Sequence, residues 1–135
     1  MKGKKIAFLF SKLAVTIADM KRIINEQVAD RVREMLVNET DVEEKTMFSG
    51  RCFLVNGKMC VCVNQEDLLC RIGYERVVEE LEKGNARQMV MNGRVSRDFV
   101  YVALTDIKGG RELAYWIDLC LQFNPLAKAA KKKKG

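Results

Sequence analysis

Cys52, Cys60, Cys62 and Cys70 stand in a symmetric C-x7-C-x-C-x7-C pattern. Four thiolates are a sufficient set to hold a tetrahedral zinc ion. Whether they meet at one point depends on strand register. Asn56-Gly57 is a two-residue hairpin signal, because both central positions of a type I′ turn need positive φ. That turn sets Val55 opposite Lys58, Leu54 opposite Met59, Phe53 opposite Cys60 and Cys52 opposite Val61. Alternation then places Cys52, Leu54, Met59, Val61, Val63, Leu68, Cys70 and Ile72 on one face. It places Arg51, Phe53, Val55, Lys58, Cys60, Cys62, Leu69 and Arg71 on the other. With two cysteines pointing each way, no single ion reaches all four. In this register Cys52 and Cys70 flank Val61 at about 9 to 10 Å, and Cys60 and Cys62 stand about 7 Å apart. Neither pair suits a disulfide. The cysteines therefore read as small apolar packing residues, and no metal or other cofactor is expected.

Other chemistry fares no better. The chain has no histidine, which removes the usual base of a catalytic serine or cysteine. Glu43-Glu44 and Glu79-Glu80 are adjacent pairs, and neighbours in sequence do not share a face of a strand or helix. They read as solvated acidic surface. No G-x-G-x-x-G or P-loop pattern is present. Met47 to Arg51 (MFSGR) reads as a strand-to-strand turn, and Phe99 and Tyr101 lie in an apolar run without interleaved basic residues. Catalysis is not expected, nor is a small-molecule ligand.

The 135 residues suit one domain with a core of its own. Apolar content of 48% and charged content of 31% are those of a soluble globular protein. The net charge of +6 belongs to the ends: Lys2, Lys4, Lys5 and Lys12 at one, Lys128 and Lys131 to Lys134 at the other. Between residues 20 and 127, 15 basic side chains face 17 acidic ones. A nucleic-acid reader would carry positive charge on its folded body, so phosphate contacts are expected only from the basic termini. Five cysteines, an odd number, four of them among strand residues, point to a reducing cytoplasm. Residues 1–19 loosely imitate a signal peptide, but Lys12 interrupts a run too short to span a membrane. They are expected to extend the first helix or to form a leader, before a domain over 20–127 and a disordered Lys-rich tail over 128–135.

The elements that position these residues alternate in type. A first helix is predicted from about Asn25, or from as early as Ser11, to Asn38, with Val28, Val32, Met35 and Leu36 on its apolar stripe. A first strand follows over Val42–Phe48, then the Asn56-Gly57 hairpin and a second hairpin near Gln65-Glu66. The latter sets Val63 opposite Leu68 and Val61 opposite Cys70. Tyr74–Lys83 forms a second helix with Gly84 at C′. Asn92-Gly93 turns the segment Arg87–Arg97, and Phe99–Leu104 reads as a central strand. The last helix runs from about Arg111 to Asn124 and stops at Pro125. The fold class is α+β: a mainly antiparallel sheet with three helices, in the order α-β(3-4)-α-β(1-2)-α.

Glu44-Lys45-Thr46-Met47-Phe48, Gly50, the hairpin Phe53 to Cys60, Ala86-Arg87-Gln88-Met89, Gly93-Arg94, Phe99 to Val102 and Leu113-Ala114-Tyr115-Trp116 together resemble the TfoX N-terminal domain family. These are small bacterial domains related to the front half of a competence regulator. The resemblance runs from roughly Asn25 to Leu126. It departs at Ser49 and Asp98, where the family commonly has glycine, and at Gln88 and Val95, where proline is frequent. It implies helices packed on a curved antiparallel sheet, with no cofactor and no catalytic set.

One feature points to partners. Phe53, Val55, Cys60, Cys62 and Leu69, rimmed by Arg51, Lys58 and Arg71, make a half-apolar face in the expected register. Such a face is covered by a helix of the same chain or by a partner. The expected function is a non-enzymatic cytoplasmic regulatory or protein-interaction domain, with homodimerisation as one option. The alternative is a nucleic-acid-associated protein acting through its basic termini.

Overall fold

The computed structural model describes residues 16–47 and 50–128. Its elements run α1 (Ile17–Met35), β1 (Val42–Met47), β2 (Gly50–Val55), β3 (Lys58–Val63), β4 (Asp67–Arg71), α2 (Tyr74–Lys83), β5 (Arg87–Met91), β6 (Arg94–Ala103) and α3 (Gly110–Phe123). Short 3₁₀ turns follow β6 and α3. Six strands form one antiparallel sheet in the order β1-β2-β3-β4-β6-β5. The expected α+β order holds, with four strands before α2 and two after it.

Local chemistry fixes the ends of the elements. Thr16 caps α1: its hydroxyl accepts from the Asp19 N–H, while the Asp19 carboxylate receives the Thr16 N–H. The helix thus starts inside the segment expected to precede the domain. The part of that segment before Thr16, with Leu13 and the early lysines, lies outside the described residues, as do Lys131 to Lys134. Gly84 closes α2 in the left-handed region, as its position after Lys83 predicts. Asn56-Gly57 and Asn92-Gly93 both carry positive φ at both positions, and each joins two paired strands.

One face of the sheet packs under the helices. Ala29 and Val32 of α1, Leu36 at its C-cap, Val77 of α2, and Leu113, Trp116, Ile117 and Cys120 of α3 bury there against Phe53, Val55, Val61, Val63, Leu68, Cys70, Val100 and Val102. The other face gathers Cys52, Cys62, Leu69 and Met89, with Met47, Met59, Phe99 and Tyr101 around them.

The expected register holds next to the turn and fails two residues beyond it. Val55 pairs with Lys58 and Leu54 with Met59, but Phe53 pairs with Val61 and Cys52 with Cys62. Cys60 is the extra residue of a β-bulge, which turns it into the helix-side core and reverses the facing of the strand beyond it. The second hairpin keeps its expected pairs, Val63 with Leu68 and Val61 with Cys70.

Candidate interaction surface

The bulge divides the face expected from sequence. Phe53, Val55 and Cys60 are buried beneath the helices, whereas Cys62 and Leu69 are buried on the opposite side. The basic rim is also occupied. Arg51 and the α1 residue Arg33 both hold Glu44, at 3.2 and 2.7 Å, and the Arg33 guanidinium lies over the Phe53 ring. Hydrogen bonds from Arg33, ahead of the cost of burial and helped by Arg51, hold the Glu44 carboxyl below the usual range. Arg71 stacks on Phe99 and donates to the Met59 carbonyl at 3.5 Å. Lys58 donates to the Asn124 carbonyl at 3.1 Å. The seven residues Arg51, Phe53, Val55, Cys60, Cys62, Leu69 and Arg71 therefore do not share a surface. Of the two explanations for an apolar sheet face, cover by the chain's own helices applies to Phe53, Val55 and Cys60. The MFSGR turn falls on Phe48 and Ser49, outside the described residues.

The two edges of the sheet differ sharply. Edge strand β1 carries Glu43, Glu44 and Lys45 along its exposed length, the charge pattern that discourages pairing with another strand. Edge strand β5 carries Gln88, Val90 and Met91 exposed, with only Met89 buried. Val90 pairs with Val95 across the hairpin, and these two valines are 55% and 53% exposed. Exposure so large at directly paired β-branched residues makes an apolar strip beside unpaired strand backbone. Arg87, at the start of β5, is held by Asp67 and stacked on Tyr101. The Asn92-Gly93 signal locates this hairpin in the sequence. Alternation cannot tell which strand will be outermost, so the sequence does not mark the strip.

A second feature escaped sequence reasoning. Glu80 is not on a solvated surface but is 1% exposed between α2 and α3. Its carboxylate accepts from Tyr115 Oη at 2.6 Å, Asn85 Nδ2 at 3.0 Å and Lys83 Nζ at 3.2 Å. Burial pushes its pKa up, but these donors together outweigh burial and leave the carboxyl below its ordinary value. The same bond to Glu80 raises the Tyr115 hydroxyl. A cleft of about 540 Å³ opens beside this cluster, between Asn85, Asp106, Arg111 and Trp116. The carboxylate is saturated by donors and tied into the helix packing, which suits a structural joint better than a base.

No helix among the described residues is long and apolar enough to cross a membrane. The family profile of the TfoX N-terminal domain matches residues 34–124, well over half of the chain. No curated protein and no solved structure matches.

Proposed function

This chain belongs to the TfoX N-terminal domain family, and from that premise we propose that it is a non-enzymatic, cytoplasmic regulatory or protein-interaction domain that docks through the open edge of β5. The inequality of the two sheet edges carries this reading. One edge is guarded by charge, and the other exposes an apolar strip next to free strand backbone. Extended partners add to such edges through main-chain hydrogen bonds, with alternate side chains supplying selectivity.

The occupant that fits best is a second copy of the same strand. Antiparallel pairing centred on Met89 sets Gln88 opposite Val90 and Arg87 opposite Met91, so no like charges oppose one another. Arg87 is already neutralised by Asp67. The pairing is isologous, as a two-fold dimer requires.

Light scattering on the full chain and on Val90→Lys tests this. The expected result is a dimer mass that falls to monomer in the variant while the circular dichroism stays unchanged. A monomer at every concentration, or a dimer indifferent to Val90→Lys, overturns the docking edge. Nucleic-acid binding that survives moderate salt in residues 16–128 would favour the alternative partner class.

A further inference from the structure

We infer that Cys52 and Cys62 form a site of oxidative modification, a cross-strand dithiol that closes to a disulfide while Cys60, Cys70 and Cys120 stay reduced. The observation is geometric and independent of the docking edge. The bulge at Cys60 brings Cys52 directly opposite Cys62 on neighbouring antiparallel strands. Residues so paired have Cα atoms about 4.5 to 5.5 Å apart, inside the range a disulfide spans. Both side chains point to the sheet face away from the helices. Both thiols also turn toward one oxygen, the Met47 carbonyl, at 3.7 and 3.8 Å.

The remaining cysteines are placed differently. Cys60, Cys70 and Cys120 lie in the core between the sheet and the helices. Contact with Cys120 and burial push the Cys60 thiol far above its usual range, and burial does the same to Cys120. Thiolate, the attacking species, is scarce at Cys60 and Cys120. The hydrogen bond between Cys52 and Cys62 instead lowers Cys52 and, with burial, raises Cys62, which makes Cys52 the first nucleophile and Cys62 the resolving thiol.

With a low-molecular-weight disulfide as oxidant, the reaction balances in two exchanges. The Cys52 thiolate attacks one sulfur of the oxidant, forming a mixed disulfide and releasing one thiol. Cys62, having given up its proton, attacks the Cys52 sulfur, closing the Cys52–Cys62 bond and releasing the second thiol. The protein loses two electrons and two protons, and the oxidant gains both. The two sulfurs are covered, so the oxidant enters when edge strand β1, paired to β2 at Lys45–Cys52, opens locally.

The test exposes the full folded chain to glutathione disulfide, alkylates the remaining thiols after denaturation and maps the peptides by mass. The expected result is a Cys52–Cys62 linkage, with Cys60, Cys70 and Cys120 alkylated, reversed by dithiothreitol. In Cys62→Ser the reaction is expected to stop at glutathione held on Cys52. Five alkylated cysteines after prolonged exposure, or a linkage involving any of the core three, overturns the proposal. The map on the unsubstituted chain decides this even if the variant fails to fold.

Discussion

The hydroxyl of Tyr115 on α3 donates to the carboxylate of Glu80 on α2 at 2.6 Å, joining residues 35 positions apart. The bond ties the two helices where both lie on the sheet, and it satisfies a carboxylate that is almost wholly buried. Tyr115→Phe removes the donor and leaves the ring in place. The expected loss is about 1.5–3 kcal/mol, the range for a hydrogen bond to a charged group, since Asn85 and Lys83 still donate to the carboxylate. Urea unfolding of the variant beside the parent checks it, and an unchanged midpoint would show that Lys83 and Asn85 suffice.

The same carboxylate makes stability depend on acid. Burial raises the pKa of Glu80, yet Tyr115, Asn85 and Lys83 together bring it below its ordinary value. The unfolded chain, with an ordinary pKa of about 4.3, therefore binds the proton more readily than the folded one. The stabilisation is fully present above that pH and disappears as pH falls through the lower folded value. Glu44, depressed by Arg33 and Arg51, adds a second contribution of the same sign. Thermal melts between neutral and strongly acidic pH are expected to show a falling Tm that is shallower in Glu80→Gln. Parallel curves for parent and variant would remove Glu80 from the account.

Much of the fold was legible because its punctuation is local. Gly84, Pro125 and the two Asn-Gly turns act within a few residues of themselves, and the strands and helices between them follow, whereas the Thr16–Asp19 cap that starts α1 was not read from the sequence. The face expected to bind partners was not legible, and one residue explains why. Cys60 bulges out of the β3 ladder into the helix-side core, so strict alternation reversed the facing of Val61 to Val63. Nothing in the local string K-M-C-V-C-V marks the bulged position. Glu80 was misread for a related reason. Its donors Asn85 and Lys83 are close in sequence, but Tyr115 arrives only through tertiary packing.

Gly73 should tolerate no side chain. Its φ is +86°, and a Cβ there would stand 2.5 Å from the Phe123 ring. Gly57 has a similar φ of +76° but open space around it. Gly57→Ala therefore pays only the left-handed backbone cost, roughly 1–2 kcal/mol. Gly73, with ψ 155°, lies instead in a positive-φ extended region essentially closed to other residues, so Gly73→Ala carries a backbone cost of about 1–3 kcal/mol together with overpacking worth about 1–3 kcal/mol. Chemical denaturation of the two variants checks the order, and equal losses would mean the Phe123 ring moves aside freely.

Asn124 fastens the end of α3 to the first hairpin. It is buried, donates Nδ2 to the Val55 carbonyl at 3.0 Å and accepts from Asn56 Nδ2 at 3.1 Å. Its own carbonyl receives Lys58 at 3.1 Å. Asn124→Ala keeps that last bond but removes the buried donor to the Val55 carbonyl, at a cost of about 1 kcal/mol. Asn124→Asp is expected to be at least as damaging, because it replaces the donor facing Val55 with a buried oxygen. Hydrogen exchange separates this joint from a general loss of stability. Amides near the Asn56-Gly57 turn and in the last turn of α3 should lose protection first in Asn124→Ala. Uniform loss across the sheet would instead place Asn124 within the global core.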